Sequence, residues 1–211
     1  MKRPSFLIPA LMSAIVLFVA QGCVPKPEVK LFMYPDDKGS EGYSRKADQG
    51  VFENKSIRVS VRKIGDSDDE GLSQEVIAHL LKKDYLIFRM EIENTSTKYK
   101  AIYNPSFTTF TGDDMSYSAP IDYTDLYDMA EDVWEKGKKD EDRKALSMDG
   151  LKGLFYDLST TIPPGGKTSK LLIFKPISKD CTKAALTLSE LYIGTETIRV
   201  IFPFVFKPKE G

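Results

Sequence analysis

Tyr85–Glu93, YLIFRMEIE, is the stretch whose reading decides the fold. Leu86, Phe88, Met90 and Ile92 alternate with Arg89, Glu91 and Glu93, a period of two that belongs to a strand with one face on a core and one on water. Asn94-Thr95-Ser96-Thr97 follows as a turn. Just upstream, Ser56–Lys63 (SIRVSVRK) repeats the pattern, with Ile57, Val59 and Val61 on its apolar face. Two such strands predict a sheet that needs a second layer to cover it.

Working outward, the segment between these strands holds an acidic loop, Gly65–Gly71. A short helix is expected over Leu72–Lys82, with Val76, Ile77, Leu80 and Leu81 on one face and Ser73 as its N-cap. Downstream, shorter strands are expected at Ala101–Tyr103, Phe107–Thr111 and Met115–Ser118, the last two joined by the Thr111-Gly112-Asp113-Asp114 turn. Residues 122–149 break the rhythm: Leu126, Met129, Ala130, Val133 and Trp134 recur at helical intervals, which predicts an inserted amphipathic helix. A strand or turn around Leu154–Leu158 leads to the Pro163-Pro164-Gly165-Gly166 turn. Ser169–Pro176, Ala184–Leu188 and Thr197–Phe206 complete the strands, Pro203 implying an edge, a bulge or a break. Short strands without βαβ rhythm predict a mainly β chain, an antiparallel β-sandwich over 51–211 with one inserted helix and a short extra one.

The order of these pieces resembles the lipid-anchored immunoglobulin-like domains of unknown function found in many bacteria. The resemblance rests on Tyr85–Asn94 running into Thr95-Ser96, on Phe107 and Phe110 before Gly112-Asp113, and on Ile162-Pro163-Pro164-Gly165 leading to Leu171–Phe174. It spans roughly 56–206 without the helix at 122–149. It implies an immunoglobulin-like sandwich and a role in envelope interaction, with no activity to carry over.

The N-terminus reads as an address. Lys2 and Arg3 precede an uncharged apolar run, Phe6–Ala20, and small residues lead to Cys23. The run falls short of the roughly 20 residues a membrane-spanning helix needs. Ala20-Gln21-Gly22-Cys23 resembles the lipobox of bacterial lipoproteins, with Ala20 where Leu is usual. This implies 1–22 as a lipoprotein signal peptide and Cys23 as the acylated, palmitate-bearing new N-terminus. The alternative is a plain signal peptide cleaved near Ala20. Val24-Pro25-Lys26-Pro27 then gives an extended spacer, and 23–50 is read as a lipidated anchor and flexible linker, with a short strand at Lys30–Tyr34. Val24, where Asp would favour inner-membrane retention, implies the outer membrane.

Composition excludes several classes. Taking Lys2 and Arg3 from the 30 basic residues leaves 28 against 31 acidic ones, a net charge of −3 for the processed chain. That balance argues against nucleic acid, which calls for a clustered basic excess. There are two cysteines, Cys23 and Cys181. Acylation of Cys23 leaves Cys181 as a partly buried, inert thiol; without acylation the two could pair.

Sites of chemistry are few in the sequence. His79 is the single histidine, read as an ordinary helix residue. Asp66-Ser67-Asp68-Asp69-Glu70-Gly71 opens like an EF-hand, yet its twelfth position is Ile77 rather than a bidentate Glu. Asp113-Asp114 reads as turn chemistry. No residue is assigned to catalysis, to a cofactor or to a metal. Tyr123, Tyr127 and Trp134 are the candidate partner-contact residues, against a plain packing role for the same aromatic face. The expected function is a non-enzymatic, lipid-anchored outer-membrane protein that presents its sandwich to an envelope protein partner. The rival is a small-ligand, glycan or calcium-binding module, or a carboxylate-based hydrolase. Deleting 122–149 is expected to leave the sandwich folded while abolishing partner capture.

Overall fold

The computed structural model describes residues 31–65, 74–136, 153–156 and 158–208. Among these, twelve strands form two antiparallel sheets, with two helices on one of them. The YLIFRMEIE stretch becomes β5 (Leu86–Glu93) and sits inside the five-stranded sheet. It pairs with β4 (Arg58–Lys63) on one side and β10 (Lys167–Phe174) on the other. Beyond β4 lie β3 (Gln49–Glu53) and β2 (Tyr43–Lys46), joined as a hairpin.

The other sheet is built on two long strands, β11 (Lys183–Ile193) and β12 (Glu196–Pro208). β1 (Leu31–Pro35) pairs with β12. The other flank of β11 is shared: its second half pairs with β6 (Ala101–Tyr103), which holds β9 (Thr160–Ile162). Its first half pairs with β7 (Thr108–Gly112), which holds β8 (Tyr117–Ser118). A register shift in β11 between Leu188 and Leu191 bends the strand where the partner changes.

The sheets face each other across one core. The expected inward set Leu86, Phe88, Met90 and Ile92 is buried there with Val59 and Val61, opposite Phe110, Leu186, Phe202 and Phe204. Phe88 is central, its ring 5.4 Å from Phe110, 5.3 Å from Phe204 and 5.9 Å from Phe174. These are the offset and edge-on spacings that aromatic rings favour.

The outer face of β5 and β10 is covered as well. Ile87, Leu171 and Ile173 are buried under α1 (Gln74–Lys82) and α2 (Tyr123–Lys136), which contribute Val76, Ile77, Leu80 and Leu126. The alternation in β5 correctly puts Arg89, Glu91 and Glu93 away from the main core, where they are half-buried. It leaves Ile87 unexplained until the helices are in place. The inserted helix therefore closes a third layer, so deleting 122–149 is expected to uncover Ile87, Leu171 and Ile173. Its residues 137–149 lie outside the described residues.

Two further expectations change. Strands already occupy Leu31–Pro35, Tyr43–Lys46 and Gln49–Glu53, so the anchor-and-linker reading of 23–50 does not hold from Leu31 onward. Met33 and Pro35 are the buried residues of β1, which pairs with the far end of β12, Leu31 opposite Pro208 and Pro35 opposite Phe204. Gly50 lets β3 approach the core closely, since a Cβ there would stand 3.0 Å from both Phe202 and Tyr43 side chains. Pro203, in turn, does not break β12 or send it to an edge. Asp36 N donates to Pro203 O (2.9 Å) just where β1 ends. A residue's N and O point to the same side of a strand, so the missing donor faces that end and the ladder to β11 is preserved. Around 154–158 there is a helical turn at Gly153–Leu154, after which Phe155 bridges Leu171 and Tyr156 enters the main core.

Asn94 closes the turn after β5 and is fully buried. Its side-chain amide donates to the carbonyls of Tyr99 (2.9 Å), Ile162 (3.0 Å) and Pro163 (3.1 Å), while Oδ1 accepts from Ser96 N (3.1 Å). It thereby joins the 94–99 loop to the 162–166 turn across 68 residues of chain. Each buried group left unpaired costs about 1–3 kcal/mol, so Asn94→Ala should remove roughly 3 kcal/mol of stability. A urea midpoint within error of the wild type would refute this.

Candidate functional site

Chemistry-bearing side chains converge at one end of the sandwich, where the β7–β8 hairpin meets the start of β11. Asp113, Asp114 and Cys181 place one potential ligand atom each within 4.8 Å of one another, the one such group among the described residues. The hairpin loop explains how they get there. Met115 N donates to Gly112 O (3.1 Å) and Gly112 N to Ser116 O (2.9 Å), a tight turn followed by Met115 at φ +67°. Gly112 is required by contact, because a methyl there would collide with Cys181 Sγ and Ser116 Oγ.

Each polar group is satisfied by another. Asp113 accepts from Thr182 Oγ1 (2.5 Å), Thr182 N (3.1 Å) and Lys183 N (3.1 Å). Those bonds, the Thr182 hydroxyl foremost, hold its carboxyl below the usual carboxylate range. Asp114 Oδ1 accepts from the Cys181 thiol (2.8 Å) and from Ser116 N (2.9 Å), and its carboxyl is likewise held low, chiefly by the thiol. Cys181 is buried, and burial followed by the bond to Asp114 pushes its thiol up. The sulfur is thus kept as a protonated donor. The bonds from Cys181, Thr182 and Lys183 to the two carboxylates fasten the hairpin loop to the start of β11, so the arrangement works as a latch.

The latch gives a pH dependence with a definite sign. Depressed carboxyls contribute stability that is present above the unfolded carboxylate pKa, about 3.9, and is lost as the pH falls through the lower folded value. The raised thiol pKa acts oppositely: its contribution is full below the unfolded value, about 8.5, and is lost as the pH rises past it. Thiol labelling followed by peptide mapping should find Cys181 unmodified in the native protein at pH 8 and modified in urea. Labelling at equal rates in both would contradict the latch.

The other predicted positions are distributed differently. Tyr123 and Tyr127 lie on α2, half-buried against the second apolar cluster. The Tyr123 ring stacks on Phe155 at 6.1 Å and 10°, and Tyr127 OH donates to Glu131 (3.1 Å). Both side chains therefore pack against the second cluster while keeping part of their surface exposed, in line with the packing role weighed for this aromatic face. Trp134 lies within α2 and its side chain is outside the described residues, as are Cys23 and the acidic loop 66–71. His79 is half-buried in the last turn of α1. The meeting of Asp114 with Cys181 spans 67 residues and has no local signature in the sequence.

No protein-family model matches the chain, and no curated protein matches it. Among solved structures, the yjhA protein from Bacillus subtilis is similar at 12% identity and a TM-score of 0.35, over 66% of this chain and 76% of that one. A likeness of that degree carries no argument about fold family or function. No helix among the described residues is long and apolar enough to cross a membrane.

Proposed function

We propose that the chain is a non-catalytic, lipid-anchored protein of the cell envelope whose immunoglobulin-like sandwich is presented for protein contact or envelope assembly. The observation that carries this reading is the spacing between address and body. Processing after Gly22 would leave eight residues, 23–30, between the new N-terminus and the first described strand at Leu31. A link that short holds the body near the membrane surface. One acyl chain anchors only marginally, at about 0.8 kcal/mol per buried CH₂, whereas the three that a lipobox implies would make attachment effectively permanent. Val24 supports the outer membrane as the destination.

The immunoglobulin-like reading is supported by two antiparallel sheets between which the chain crosses repeatedly, from β5 to β6 and from β10 to β11. For the contact surface, α2 gives way to the outer face of the larger sheet. The helices cover the smaller sheet, and the pleat turns Ile201, Pro203 and Ala185 outward, opposite to inward Phe202, Phe204 and Leu186. Intact-mass and peptide analysis of the mature N-terminus is expected to find acylated Cys23, and Cys23→Ser should move the protein from the membrane to the soluble fraction. A mature N-terminus elsewhere, or Cys23 oxidised to Cys181, would overturn the proposal.

A further inference from the structure

One end of the sandwich gathers both the first described strand and the most exposed large apolar side chain among the described residues. Leu31 pairs with Pro208, Val205 with Lys183, and Ala184 with Gly112, so the start of β1, the end of β12 and the 113–116 loop share that end. Met115 forms the tip of the loop and is 88% exposed; Leu31 is 42% exposed. Met115 also holds a positive φ of +67°, a conformation that a bulky side chain rarely adopts. Its neighbours are turned the other way. The carboxylates of Asp113 and Asp114 are bonded back to Thr182, Lys183, Cys181 and Ser116, so the tip presents a thioether with the acids held at its base.

We propose that this end of the body rests on the lipid surface that holds the Cys23 acyl chains, with the Met115 side chain in the interfacial layer. The inference rests on the lipid-anchor reading above. The length of chain between Cys23 and the first described strand, and the end of the sandwich at which it enters, set the geometry. Cys23–Lys30 contains Pro25 and Pro27, and eight residues span roughly 25 Å at the rise of a proline-rich segment and at most about 29 Å fully extended. Three strand spacings separate β1 from β7, roughly 15 Å, so the loop tip lies within the tether's reach of its attachment point. The opposite end, at the Gly194-Thr195 turn, stands a β12 length away, about 40 Å at the rise of a strand. That exceeds the tether, so an inverted body would leave the acyl chains short of the bilayer.

The test uses the full processed chain carrying Met115→Cys or Thr195→Cys, each labelled with a polarity-sensitive fluorophore while buried Cys181 stays silent. The proteins are reconstituted into phosphatidylethanolamine–phosphatidylglycerol vesicles that contain nitroxide-bearing lipid. The label at 115 is expected to shift to the blue and lose emission to the lipid quencher, and the label at 195 to do neither. Acyl chains on Cys23 with an unquenched label at 115 would overturn the docking and leave the anchor standing. A blue shift at 115 without lipid quenching, which means a protein cover, would overturn it too, as would equal quenching at both sites, the mark of a body lying on its side. An N-terminus without acyl chains would overturn the anchor and the docking together.

Discussion

Phe88→Ala is expected to remove about 4 kcal/mol of stability, near the upper part of the range for truncating a buried aromatic ring. Phe88 is fully buried between the sheets and borders Phe110, Phe174 and Phe204, one from β10 and two from the opposite sheet. Its loss removes apolar burial and leaves a cavity lined by rings that rotamer changes cannot collapse into, because both flanking strands are pinned by their ladders. Domains of this size are stable by about 5–15 kcal/mol in total. The change should therefore lower Tm by roughly 10 °C and shift the urea midpoint with an unaltered slope. Phe88→Leu, which keeps most of the volume, should cost less than half as much. Equal effects from the two substitutions would mean that the ring is not the centre of the core.

Leu126→Asp is expected to cost a comparable amount, about 3–5 kcal/mol, because it leaves a charge buried without a partner. Leu126 is fully buried in the cluster formed with Ile87, Leu171, Ile173 and α1. The surrounding chain is fixed there by Ile121 N donating to Ile173 O at 2.8 Å, whereas the Lys175–Asp125 pair at 3.8 Å is exposed and adds little. The expected result is a protein that exposes the outer face of β5 and β10, binds a hydrophobic dye and aggregates on heating. A Leu126→Asp variant that melts like the wild type would restore α2 to the status of a dispensable appendage. Partner capture should then be probed on the larger sheet, since loss of binding in an α2 deletion would report unfolding.

These two residues also mark the boundary of what could be read locally. Phe88 is inward because its neighbours alternate, and alternation survives in the sequence whatever β5 pairs with. Leu126 is periodic with Met129 and Val133, which identifies the helix without saying what the helix covers. Ile87 carries the missing information, an apolar residue on the polar side of a strand, and it makes sense once α1 and α2 lie over it. The latch was less accessible still. Asp113-Asp114 looks like any acidic turn, and Cys181 like any small buried thiol, until the hairpin and β11 are paired through Gly112 and Ala184.

The amino-acid sequence by itself determined the mainly β character, the inward faces of β4 and β5, the turns at 94–97 and 163–166 and the presence of both helices. Each of these depends on side-chain period or on turn chemistry within a few residues. Tertiary structure alone decided that Leu31–Pro35 pairs with the far end of the chain, that Pro203 can sit in a central strand, that α2 closes a layer, and that Cys181 is held by Asp114. In each of those cases the deciding contact joins segments far apart in the chain, and no local propensity encodes which distant strand supplies the missing partner.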